Sequence, residues 1–166
     1  MGGRRGTLTD VVSSSDVWDE EDAATYDADG AEYFKPEVLD PTVDFLERLA
    51  DGGPALEFAI GTGRVGISLA ARGVPVTGIE LSAAMVAQLR LKVGEGELPV
   101  IVGDMATTMA PGAGSFSVVF LVWNSISNLR TQAEQVQCFR HAANHLRPGG
   151  RFVIELWVPP IQRLLT

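Results

Sequence analysis

Five short apolar runs, at 55–60, 74–79, 98–102, 117–122 and 151–158, recur along the chain, each separated from the next by a helical or glycine-rich stretch. Such alternation predicts right-handed βαβ units, which build a parallel sheet covered by helices on both faces. The intervening helices have readable ends. Gly73 closes one begun near Arg64, Ser82 caps one running to about Val93, and Pro148-Gly149-Gly150 ends one begun near Thr131. Upstream, 17–26 and 37–50 also read as helical. In the second of these, Val38, Leu39, Val43, Phe45, Leu46 and Leu49 make a broad apolar face before Gly52-Gly53-Pro54 stops it. The expected architecture is α/β: a three-layer αβα sandwich with a mostly parallel sheet of about five strands and N-terminal helices.

At 166 residues the chain can bury one sizeable core. Residues 1–16 are poor in apolar side chains and read as a flexible tail, and 17–166 as the domain, made of a helical segment over 17–51 and a core over 55–158. The net charge of −8 opposes the counterion-release attraction on which nucleic-acid binding depends. No apolar run approaches a membrane span. At the N-terminus, Gly6 stands where myristoylation wants Ser or Thr, and no apolar stretch follows Arg4-Arg5, so a cytoplasmic location is expected. Cys138, the single cysteine, reads as a buried residue rather than a nucleophile. His141 and His145 lie four apart on a helix, a spacing that could place two metal ligands on one face, but no third ligand accompanies them. They read as a surface or interface pair, and no metal is expected.

The first strand opens into Gly61-Thr62-Gly63-Arg64-Val65-Gly66, a turn whose glycines let backbone N–H groups approach a ligand at the carboxyl end of the sheet. With Glu80 about 20 residues on, the turn also fits a nicotinamide or flavin site, so an NAD-dependent oxidoreductase remains open here. Glu57 separates the readings better. A carboxylate inside a buried parallel strand costs several kcal/mol unless a cation or donors meet it, and an ammonium-bearing ligand would do so. At the end of the second strand, Glu80 can accept from vicinal ribose hydroxyls. Gly103-Asp104-Met105 ends the third strand with an acceptor beside an apolar side chain, a pair suited to the amine and ring face of an adenine.

Four stretches together resemble the class I S-adenosylmethionine-dependent methyltransferases of the small-molecule type, which carry a Rossmann-like domain. They are Glu57 to Arg64, Gly78 to Met85, Gly103 to Met105 and Leu146 to Glu155. The resemblance implies S-adenosylmethionine as cofactor and S-adenosylhomocysteine as product. It implies that Glu57 faces the methionyl amino group, that Gly61 and Gly63 shape the cofactor loop, that Glu80 holds the ribose and that Asp104 and Met105 flank the adenine. Ala59, Arg64, Leu81, Met85, Gly103 and Val122 complete the implied cofactor site. The sequence departs from the family pattern in two places. Ala59 stands where Gly is more usual, and the chain stops at Thr166, short of the last two of the family's seven strands. An open edge at Phe152, Val153, Ile154, Leu156 and Trp157 is therefore expected, with marginal stability or a homo-oligomer as its consequence.

A sulfonium methyl is already activated, so its in-line displacement needs alignment and exclusion of water rather than a dedicated base, and no catalytic residue is assigned. Trp123 and Asn124, after the fourth strand, are the candidate walls of an acceptor site. They do not make up the Asp/Asn-Pro-Pro-aromatic signature of nucleic-acid amino methyltransferases. In the resembling family the segment before the first strand is a lid, which here offers Trp18, Tyr26 and Tyr33. Residues 16–51 hold 13 acids and two bases, a charge that favours neutral or cationic acceptors. The leading expectation is methyl transfer to a small molecule. A cofactor-binding module without turnover is the non-enzymatic alternative.

Overall fold

The computed structural model describes residues 18–157; the tail expected over 1–16 and the end of the last apolar run lie outside them. Helix α1 spans Glu20–Asp29 and is followed by a 3-10 turn over Ala31–Phe34. Then come α2 (Pro36–Ala50), β1 (Ala55–Phe58), α3 (Arg64–Ala71), β2 (Val76–Glu80), α4 (Ala83–Arg90), β3 (Val100–Val102) and β4 (Phe116–Leu121). A 3-10 turn at Ser125–Asn128 leads to α5 (Gln132–His145) and β5 (Leu146–Ile154). The five strands form one all-parallel sheet in the order β3-β2-β1-β4-β5, the expected Rossmann-like arrangement.

Period-two alternation sends successive side chains of the central strands to opposite faces. Ala55, Val118 and Phe120 join Leu46 of α2, Leu69 of α3 and Leu89 of α4 in one buried cluster. Leu56, Phe58, Val119 and Leu121 join Cys138 and Ala142 of α5 in another. Helices thus cover both faces. Helix α2 is anchored by buried Leu39, Val43, Leu46 and Ala50, whereas α1 buries only Ala23. Polar ends define α1 instead: the Asp19 side chain accepts from the Glu21 and Asp22 amides, and three acids occupy its first turn, where the helix dipole favours them.

Strand β1 ends two residues earlier than expected because Ala59 turns to φ +51, the left-handed region. Helix α5 does not run to the Pro148-Gly149-Gly150 turn. It ends at His145, and those residues form a bulge in β5: Phe116 pairs with Leu146 while Val118 pairs with Arg151.

His141 and His145 are not a surface pair. Both are buried on the sheet-facing side of α5, with hydrogen bonds in place of water. His141 Nδ1 donates to the Met105 carbonyl (2.8 Å), and His145 Nδ1 donates to the His141 carbonyl (2.8 Å) while its Nε2 accepts from the Ala110 amide (3.0 Å). These bonds, and stacking of His141 on Phe58, explain how two imidazoles sit inside a core. Among the described residues no three His, Cys, Asp or Glu side chains converge as metal ligands. Cys138 is buried as expected, and burial pushes its thiol up to about 11.

Candidate functional site

The carboxyl ends of β1, β2, β3 and β4 open into one cleft roofed by α1, the place where open α/β sheets bind ligands. Two acids from adjacent strands set its polarity. Glu57, in mid-β1, is 2% exposed, and its Oε2 has no hydrogen-bond partner. Burial raises its carboxyl well above the ordinary range, with the Arg64 guanidinium and, less, the nearby Gly66 amide pulling the other way. The backbone leaves room for that carboxylate only because α3 carries Gly66. A Cβ there would stand 2.5 Å from Glu57 Oε2.

Glu80, at the end of β2, is clamped by two backbone donors, the Gly61 amide on Oε2 and the Ser82 amide on Oε1, both at 2.8 Å. The clamp joins the glycine turn to the start of α4 and fixes the carboxylate at the cleft wall. Burial still raises its pKa, against those two hydrogen bonds and the nearby Leu81 amide. Gly61, at φ +58, has open space where a Cβ would stand, so the chain offers a ligand bare backbone there. Gly63 has another part. At φ +88 it starts α3, and a Cβ would press on Ile67 and Leu89 rather than reach the cleft.

The expected site residues fall into two adjoining parts. Ala59, Gly61, Glu80, Leu81, Met85, Gly103, Asp104 and Met105 line the broad part of the cleft, together with Tyr26, Trp123 and Asn124. Glu57, Arg64 and Val122 line its inner end, where Tyr26, Ala59 and Trp123 also reach. Asp104 is held by a hydrogen bond from the Ala106 amide, and the Met105 carbonyl by His141. Tyr33 stands off the cleft, edge-on to Trp123 with ring centroids 4.1 Å apart.

Sequence reasoning missed how the roof is fastened. Ser82 reads as a helix cap, and its Oγ does accept from the Met85 amide, but the same hydroxyl donates to the Trp18 carbonyl at 2.9 Å. On the other side Asp27 accepts from Thr62 Oγ1 (2.5 Å) and pairs with Lys92 (2.6 Å). Helix α1 is therefore tied to α4 and to the glycine turn by polar contacts up to 65 residues apart. Ser125, Ser127, Asn128 and Leu129 also line the cleft; the first three belong to the segment after β4 where the resemblance places the acceptor, but only Trp123 and Asn124 were expected from it, and the Ser125–Asn128 turn brings the others in.

Residues 55–150 match a family model described as methyltransferase domain. The putative methyltransferase YqeM of Bacillus subtilis is 28% identical over 108 residues, covering 65% of this chain and 44% of that protein. The CcbJ methyltransferase of Streptomyces caelestis is 37% identical, with a TM-score of 0.64 over 68% of this chain and 46% of its own. The amino pentose methyltransferase CalS10 of Micromonospora echinaspora, solved with S-adenosylmethionine bound, is 26% identical with a TM-score of 0.69, covering 82% of this chain and 58% of its own. The chain thus spans less than half the length of the curated relatives it matches. Of the two readings left open by the glycine turn, the family match selects one: the chain belongs to the class I S-adenosylmethionine-dependent methyltransferases.

Proposed function

We propose that this chain moves a methyl group from S-adenosylmethionine to a small-molecule acceptor. The buried, unpartnered Glu57 Oε2 is the observation that carries the reading. An ionised carboxylate there needs a cation, and the α-ammonium of the cofactor is one of the right size at the right end of the cleft. Glu80, with both oxygens oriented by backbone amides and lone pairs to spare, would accept from the ribose hydroxyls. Asp104 and Met105 would flank the adenine, with Leu81, Met85 and Gly103 shaping that end. Arg64 and Val122 would bound the methionyl end. When bound, the cofactor supplies an activated sulfonium methyl; the protein's share is to align it and to exclude water.

Titration calorimetry with S-adenosylmethionine, S-adenosylhomocysteine and NAD tests the reading. Micromolar binding of the first two, weakened by both Glu57→Gln and Glu80→Ala, is expected. Binding of NAD alone would overturn it. Tyr26, Tyr33, Trp123 and Asn124 are proposed for the acceptor side, which Tyr26 and Trp123 share with the methionyl end of the cleft.

A further inference from the structure

Beside the cleft a second cavity, of about 300 Å³, lies between α1, the Ala31–Phe34 turn and Trp123. Its lining is chemically one-sided. Trp18, Tyr26, Tyr33, Phe34 and Trp123 all contribute to its wall, and electron-rich ring faces attract cations. Two of them already do so: the Arg64 guanidinium sits 4.9 Å from the centroid of the Trp123 ring and Lys92 Nζ 5.7 Å from that of Phe34, which leaves Trp18, Tyr26 and Tyr33.

The charges point the same way. Asp22 and Asp29 line the cavity, and neither takes part in an ion pair among the described residues, whereas Asp27, between them on the same helix, is occupied by Lys92 and Thr62. Helix α1 carries five carboxylates and no basic residue. Arg64, the one base on the cavity wall, is engaged by the Trp123 ring and by the Tyr33 carbonyl at 3.3 Å. Two carboxylates against the one guanidinium leave the wall net negative beside aromatic surface, a combination that rewards a cation with an apolar body.

Its position connects it to the chemistry. Tyr26, Arg64 and Trp123 wall both this cavity and the cleft end that holds Glu57. Building on the methyltransferase reading above, we propose that the cavity receives the methyl acceptor and selects a protonated primary or secondary amine on a small apolar skeleton. Transfer to it balances simply. The ammonium first releases one proton to water at the acidic rim. The freed nitrogen lone pair then forms the N–C bond while the S–C bond breaks and its electrons return to sulfur, so the positive charge passes from the sulfonium to the methylated ammonium.

Three probes of one shape separate charge from size: cyclohexylamine, cyclohexanol and cyclohexanecarboxylate, titrated at pH 7 into the full chain saturated with S-adenosylhomocysteine. Binding is read from the indole N–H signals of Trp18 and Trp123. Cyclohexylamine should bind at least tenfold more tightly than either analogue. The double variant Asp22→Asn, Asp29→Asn should lose about tenfold for the amine, with cyclohexanol and S-adenosylhomocysteine affinities within twofold of the parent. Equal or tighter binding of the alcohol or carboxylate, no indole shift with any probe, or an unchanged amine affinity in the double variant would each overturn the proposal. If S-adenosylhomocysteine does not bind while cyclohexylamine still shifts both indoles with the expected selectivity, the amine site stands and the methyltransferase reading falls.

Discussion

Glu57 is where stability and binding oppose each other most directly. Its native pKa is raised by burial, so the folded state holds a proton more tightly than the unfolded chain. The resulting stability is fully present below the ordinary carboxyl value of 4.5 and is lost as pH rises toward the raised native value. Glu57→Gln should therefore melt higher than the parent without ligand, by a margin that grows from pH 4.5 upward in a calorimetric series. The same substitution should weaken S-adenosylhomocysteine binding roughly thirtyfold, the equivalent of about 2 kcal/mol for a hydrogen bond to a charged group. Ala59 makes a second residue-scale case. Its φ of +51 is one that L side chains rarely adopt, so Ala59→Gly should raise the urea midpoint by the equivalent of about 0.5–1 kcal/mol, once the greater freedom of the unfolded glycine is subtracted.

Among the elements, α5 holds the Asp104-Met105 end of the cleft through one bond, from His141 Nδ1 to the Met105 carbonyl. The other ring nitrogen of His141 is buried without a partner, so His141→Phe removes one satisfied and one unsatisfied group while keeping the ring against Phe58. Stability should fall by only about 1 kcal/mol, but amide exchange at Ala106, Thr107 and Thr108 should quicken, because their donors all turn toward Asp104. His145 gives the same helix a pH dependence opposite to that of Glu57. Burial lowers its pKa, so the native state favours the neutral ring, and stability is lost as pH falls below the ordinary histidine value of 6.5. Urea midpoints at pH 7.5 and 5.5 should differ in that direction, and a His145→Leu variant should show a smaller difference.

Across the whole molecule, the sheet closes at β3 on one side and at β5 on the other, and in β5 the backbone opposite β4 has no further strand among the described residues. Leu156 is 56% and Trp157 66% exposed beside this edge, and Phe139 of α5, itself exposed, packs edge-on to Phe152. An apolar edge of this kind pairs with other strands. The isolated chain should accordingly self-associate through β5 in a concentration series by sedimentation velocity, and Val153→Lys should shift it toward monomer. No helix among the described residues is long and apolar enough to cross a membrane.

The rhythm of apolar runs determined the layer order, and the spacing of Glu57, Gly61, Glu80 and Asp104 determined which strand ends meet at the cleft, because a parallel sheet leaves little choice in where successive strands end. The fate of the two histidines was not legible. Their burial depends on which face of α5 meets the sheet and on carbonyls 36 and four residues away. The acidic helix was equally ambiguous, since a run of carboxylates reads the same whether it faces solvent or rims a cavity. Only the tertiary structure, by tying Trp18 to Ser82 and Asp27 to Thr62 and Lys92, turned that run into one wall of a cavity, through contacts between residues that sequence distance keeps apart.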